Sequence, residues 1–233
     1  MPDSQPSIPP AARTSWPRRL WREWILGAAL PIWVVITFGF TFARVDGESM
    51  NPTLRSGDVA LLLKYPRWLR AWGLWEGYPR RGDIVVFRPP GEPHTDFIKR
   101  LIGLPGDRIQ MKEGLLYIND VPVKKTYVDD WLDEEKHPPR MVQRYSETLP
   151  EGRTFQTLYE TPMGPVENTD VYTVPPEHYF MMGDNRDNSR DSRYADPVGF
   201  VPAENLVGRA DIIFFSWESL FSFRSGRFLK RLD

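Results

Sequence analysis

"DFIKRLIG", residues Asp96–Gly103, decides how this chain is read. Drawn as a strand, it places Phe97, Lys99 and Leu101 on one face and Ile98, Arg100 and Ile102 on the other, because successive side chains of extended backbone point to opposite sides. Outward from it lie more short segments rich in Val, Ile, Leu and Phe, each bounded by Gly, Pro or Asp. They are "DVALLLK" (58–64), "GDIVVFR" (82–88), "DRIQMKEGLLYIND" (107–120) and "ADIIFFS" (210–216). Such spacing predicts a mainly β fold. "LYINDVPV" (116–123) reads as a hairpin turning at Asn119-Asp120, where both residue types tolerate a left-handed backbone. Residues 124–177 turn polar and proline-bearing, with weak strand signals such as "RTFQTLYE". They are expected to form an inserted second lobe within a β domain made of 43–123 and 178–233.

Composition narrows the chemistry. The chain has 233 residues, of which 41% are hydrophobic, enough for a packed core. Its 30 Lys and Arg against 31 Asp and Glu leave no global field that calls for nucleic acid. Cysteine is absent, which removes disulfides, thiolate metal sites and a cysteine nucleophile. His94, His137 and His178 are scattered without metal-ligand spacing, so neither a metal nor another cofactor is expected.

The stretch Ile25–Phe42 carries no charge, and as a helix would span roughly 27 Å, close to the hydrocarbon thickness of a bilayer. It is expected to be a single transmembrane helix. Arg13, Arg18, Arg19 and Arg22 crowd its N-terminal side, with Trp16, Trp21 and Trp24 at interface positions. By the positive-inside rule, the Pro- and Ser-bearing basic tail, 1–24, is cytoplasmic and the bulk of the chain lies across the membrane. Trp68, Trp72 and Trp75 recur at helical spacing in a segment that suits either core packing or the headgroup layer.

Three places carry residues fit for catalysis. Ser49 sits in "GESMNPTL" (47–54), which lacks the second glycine of a nucleophile elbow, and most serines in such turns are structural. Lys99 has bulky apolar neighbours on its own face. An ordinary lysine, with a pKa of about 10.4, is protonated at pH 7 in all but roughly four molecules in ten thousand, whereas burial disfavours the ammonium and frees the amine to accept a proton. A lysine at a strand edge pointing to solvent is the competing reading. "GDNRDNSRDSR" (183–193) packs three aspartates, two asparagines, two serines and three arginines into one loop. Alternating Asp and Asn oxygens suit calcium, but the arginines oppose a cation and are better placed to clamp the aspartates.

"ESMNPTL", "GDIVVF", "FIKRLIGLPGD" and "GDNRDNSRDSR", in this order after an apolar anchor, resemble the conserved boxes of type I signal peptidase, a membrane-bound serine protease of bacteria. The resemblance implies a largely antiparallel β fold with a second lobe between the last two boxes. It also implies an extracytoplasmic catalytic domain on a single-pass anchor in the bacterial inner membrane, acting as a monomer. Ser49 would be the nucleophile and Lys99 the general base. Ser189 would hydrogen-bond the lysine amine, Asp191 and Arg193 would form a supporting ion pair, and Asp184 and Arg186 would shape the same loop. The Ser49 backbone N–H would donate to the oxyanion. Gly47 stands where one branch of the family has a serine that supplies a second oxyanion donor. Val45, Met50, Leu54, Asp96, Phe97 and Ile98 would line pockets for small side chains. Partners would be preproteins carrying signal peptides, cut after an Ala-X-Ala pattern, and the lipid bilayer.

Self-cleaving Ser-Lys repressors share this chemistry but cut at an Ala-Gly or Cys-Gly pair, neither of which occurs here. A peptidase dedicated to one partner, such as a pilus or conjugation protein, and a tethered β-rich binding module compete with the general peptidase.

Overall fold

The computed structural model describes residues 39–64, 79–134, 138–160, 166–219 and 222–232, with Gly27, Ala28, Trp33, Thr37 and Lys136 besides. The main sheet is built from β1 (Phe40–Arg44), β2 (Asp58–Lys64), β3 (Ile84–Phe87) and β4 (Phe97–Gly103). A hairpin follows, β5 (Arg108–Lys112) and β6 (Leu115–Ile118), extended by β7 (Val121–Pro122). Then come β8 (Lys124–Asp133), β9 (Arg140–Thr148) and β10 (Thr154–Tyr159), and the short β11 (Tyr172–Thr173). The chain closes with β12 (His178–Met182), β13 (Val201–Pro202), the long β14 (Leu206–Ser219), β15 (Ser222–Phe223) and β16 (Lys230–Arg231).

These pair antiparallel in three sheets. The largest runs β1-β2-β14-β3-β4-β12-β13, with β15 and β16 also on β14; the others run β10-β9-β8 and β11-β5-β6-β7. The sequence segments read as strands fall on these elements because alternation is a local property that each strand keeps. β2 is the clearest case, with Asp58, Ala60 and Leu62 buried and the residues between them partly exposed. In the hairpin joining β6 and β7, Asn119 and Asp120 have φ of 53° and 64°, the left-handed pair that a two-residue turn of this twist requires. The three-stranded sheet lies wholly within the polar stretch 124–177, whereas Tyr172–Thr173 in that stretch pairs with β5.

Three apolar clusters hold the fold. One joins Ile102, Met111, Leu116 and Phe180 to Leu149 and Phe155, so the three-stranded sheet shares a core with the hairpin. A second gathers Val85, Phe87, Leu101 and Met181. The third lies under the turn after β1 and contains Val45, Met50, Leu54, Leu62 and Ile213. Burying each large aliphatic side chain of this kind contributes about 1.5–3 kcal/mol.

The N-terminal expectation needs one correction. Phe40, Thr41 and Phe42, assigned from sequence to the end of the membrane helix, start β1 and pair with Leu63, Leu62 and Leu61. Cross-strand partners satisfy the backbone there, and local hydropathy does not report them. Most of Ile25–Phe42, and all of Trp68, Trp72 and Trp75, lie outside the described residues. Among the described residues no helix is long and apolar enough to cross a membrane.

Candidate active site

β4 and the turn after β1 bring Lys99 and Ser49 together. Residues Glu48–Leu54 form a compact turn, closed by Asn51 N donating to Glu48 O at 3.0 Å and Leu54 N to Met50 O at 2.9 Å. Met50 and Leu54, both fully buried, anchor it in the core and leave Ser49 facing a cleft of about 670 Å³. The Asn51-Pro52 bond within this turn is cis.

Lys99 enters the same cleft from β4. Its Nζ lies 2.7 Å from Ser49 Oγ and donates to the Ile98 carbonyl at 2.9 Å. The side chain is buried, with the residue only 4% exposed. Burial pushes the amine down to about 8, against a weaker upward pull from Asp191 and Asp184. At pH 7 about one molecule in ten then carries a neutral amine within bonding distance of the hydroxyl.

The loop Gly183–Arg193 backs this pair. Arg193 grips Asp191 with Nε at 2.8 Å and Nη2 at 2.9 Å, and Gly183 N donates to the same carboxylate at 2.9 Å. Burial drives the Asp191 carboxyl up, but Arg193 and these hydrogen bonds outweigh it and hold the group below its ordinary value. Asp191 and Asp184, the two carboxylates that pull on the amine, are each paired with an arginine, Arg193 and Arg100, so they draw it toward ammonium less than bare charges would. Gly183 passes between the two sides of the site. A Cβ there would lie 2.2 Å from Ser189 Oγ and 2.5 Å from the Ser49 carbonyl, so only glycine lets the loop approach this closely. Asn185 N donates to Ser49 O at 3.1 Å, and Asn188 Nδ2 to the Glu48 carboxylate at 2.9 Å.

With a hydroxyl, a depressed amine and a clamped loop in one cleft, comparison with known proteins becomes decisive. Residues 18–217 match the signal peptidase family, peptidase S26. The chain belongs to that family. Signal peptidase I of Rickettsia canadensis (strain McKiel) is 47% identical over 219 residues, covering 84% of this chain and 80% of that protein. Signal peptidase I of Rickettsia conorii (strain ATCC VR-613 / Malish 7) is 46% identical, covering 84% and 79%. A crystal structure of a signal peptidase I from Enterococcus faecalis V583 is 30% identical, covers 56% of this chain and 95% of that one, and superposes with a TM-score of 0.33. The assignment therefore rests on the sequence matches, and they make this chain a serine peptidase of the signal peptidase family.

The other residues of the loop have partners on neighbouring strands. Asp184 is clamped by Arg100 from β4, through Nε at 2.8 Å and Nη2 at 2.7 Å, and receives Thr53 Oγ1 at 2.6 Å. Arg186 turns the other way, to Glu147 on β9, at 2.7 Å. Asp184 thus ties the loop to β4 and Arg186 ties it to β9. Sequence reasoning misses Arg100 as a site residue, although a signal is present: an arginine on the apolar side of a strand requires a buried carboxylate partner. Ser189 is buried in the cleft wall but makes no hydrogen bond to Lys99, whose amine is turned to Ser49 and Ile98.

Of the residues expected to line substrate pockets, Asp96, Phe97 and Ile98 do lie on the cleft wall. Val45, Met50 and Leu54 do not. They fill the third core cluster beneath it, because apolar side chains flanking a turn pack inward. Gly47 lines the cleft with φ of +106°, a backbone that any side chain strains, so a serine hydroxyl is not simply interchangeable there. Arg190, given no role from sequence, pairs with Glu92 at the surface. His94 is exposed and the ring of His178 faces the Pro176 carbonyl, while His137 lies outside the described residues.

Proposed function

We propose that this chain is a membrane-anchored serine endopeptidase that removes N-terminal signal peptides from exported preproteins, with Ser49 as nucleophile and Lys99 as general base. The observation that carries the reading is the 2.7 Å approach of Lys99 Nζ to Ser49 Oγ in a setting that pushes the amine down to about 8. The neutral amine takes the hydroxyl proton as Oγ attacks the scissile carbonyl. The ammonium so formed returns the proton to the leaving amine, and the free amine then activates the water that hydrolyses the acyl-enzyme. The Ser49 backbone N–H donates to the oxyanion as charge develops in this reading.

Specificity follows from the wall of the cleft. Phe97 and Ile98 offer shallow apolar surface beside the dyad, which suits small side chains of the Ala-X-Ala kind, and an extended substrate can pair alongside β4. Membrane placement is supported by an exposed aromatic face. Phe42, Phe214, Trp217, Phe223 and Phe228 are each at least 40% exposed, with Phe42 and Phe214 rings 5.1 Å apart and the Phe215 ring 4.9 Å from that of Trp217. A cytoplasmic N-terminus and a catalytic domain across the bacterial inner membrane follow from the arginine-rich flank. Anchoring the protease at the bilayer raises the effective concentration of scissile bonds, since signal peptides end their apolar segment at that surface.

The test is incubation of the purified full chain in detergent with a preprotein ending its signal in Ala-X-Ala, followed by sequencing of the new N-terminus. Cleavage directly after the second Ala supports the reading; cleavage elsewhere, or none, counts against it.

A further inference from the structure

β10 runs beside the loop that backs the dyad. Leu158 N donates to Asp184 O at 2.9 Å, Leu158 forms a parallel bridge with Asn185, and Glu160 N donates to the Asp187 carboxylate at 2.8 Å. One charged contact crosses the same seam. Arg186 Nη2 donates to Glu147 Oε2 at 2.7 Å, and both residues are 1% exposed. The other Glu147 oxygen receives Tyr159 OH at 2.9 Å and Thr157 Oγ1 at 3.2 Å. Lys125, Asp187, Glu167, Asp184 and Arg193 are further charged groups that act on this cluster.

From Arg186 the contacts lead to the dyad. Its carbonyl accepts Arg193 Nη2 at 2.5 Å, Arg193 grips Asp191, and Asp191 holds the Gly183 N–H beside Ser49. A buried ion pair contributes little net stability, because desolvation offsets the attraction. Its effect is directional: with Tyr159 and Thr157 holding the other carboxylate oxygen, Glu147 leaves the guanidinium one orientation, and the Arg186 carbonyl follows.

We propose that Glu147 is a positioning residue for peptide cleavage: it fixes Arg186 and, through the Arg186 carbonyl, Arg193 and Asp191, sets the loop against the Ser49–Lys99 pair. The three-stranded sheet thus holds the catalytic loop in place. This rests on the dyad reading above.

Glu147→Gln in the full-length chain keeps the side-chain volume and removes the charge that orients Arg186. With enzyme concentration set by active-site titration, kcat is expected to fall about tenfold with KM within about twofold, since a slightly misplaced dyad loses rate without losing substrate contacts. Arg186→Gln is expected to fall as far, and the double variant no further than either single. A merely structural pair would instead lower Tm and leave kcat per titrated site unchanged, and that result overturns the proposal. Should Glu147→Gln not accumulate as folded protein, the Glu147→Gln/Arg186→Gln double variant carries the same kcat test, and failure of both to fold makes the pair a strut and also overturns it. Ser49→Ala in the same assay separates the two readings. Activity surviving there removes the dyad and the positioning role together; an inactive Ser49→Ala beside a Glu147→Gln with unchanged kcat removes the positioning role alone.

Discussion

Among the described residues two lysines are pushed down to about 8 by burial, and they differ in what stands beside the amine. Lys99 has a hydroxyl 2.7 Å away and opens on a cleft. Lys125 on β8 is half-buried, donates to the Gly114 carbonyl at 3.0 Å and lies 3.2 Å from the centre of the Tyr159 ring and 4.3 Å from that of Tyr145. Those ring faces favour the ammonium and help to keep the proton on. No hydroxyl with a path to substrate stands beside it among the described residues. A lowered pKa is therefore a necessary property of a lysine base but an insufficient one: the amine also needs a proton donor for its chemistry within reach and a substrate that can arrive.

The largest effects should come from erasing the partner that distinguishes the two. Ser49→Ala and Lys99→Met are each expected to lower preprotein cleavage by about 10⁴-fold or more, measured by single-turnover gel assay. Lys99→Arg should fail equally, because guanidinium keeps its proton. Retained cleavage in any of them breaks the contrast.

Next comes pH. With the Lys99 amine at about 8, the neutral fraction falls from about one half at pH 8 to about one hundredth at pH 6, so kcat/KM should drop about fifty-fold over that range. A profile flat to pH 6 would sink the base assignment. The same shift bears on stability. The unfolded chain holds this proton up to about 10.5 and the folded chain releases it near 8, so stability rises with pH between those values. Below that window the burial penalty is fully present, and Lys99→Met should therefore raise stability at pH 7 by about 2 kcal/mol while abolishing activity, as chemical denaturation would read.

Lys125→Met sharpens the contrast from the other side: kcat should fall by less than the tenfold expected of Glu147→Gln, because the amine touches neither dyad nor cleft and reaches the Glu147–Arg186 pair only through Tyr159. Smallest of all is Gly47→Ser. Its φ of +106° makes any side chain cost about 1 kcal/mol of stability, and no gain in kcat is expected despite the added hydroxyl.

Much of the fold is legible in the sequence because its signals are local. β2, β3, β4 and the Asn119-Asp120 hairpin each announce themselves by alternation or turn chemistry within a few residues. The turn bearing Ser49 and the strand bearing Lys99 can be named from their boxes, but not their separation. Arg100 escapes a sequence reading because its partner, Asp184, is 84 residues away. Arg186 shares a loop with Asp184, whereas its partner, Glu147, is on β9. Met50 and Leu54 look like substrate contacts because they flank the serine, and they are core because the turn folds them under it.

Sequence alone therefore determined which segments are extended, which residues carry usable chemistry and which family the motifs resemble, since these depend on residue type and short-range order. Tertiary structure decided which amine meets a hydroxyl, which arginine holds which carboxylate and which apolar side chains leave the cleft for the core. Those outcomes turn on desolvation and on distances between residues far apart in the chain, and both come into being only when the sheets pack.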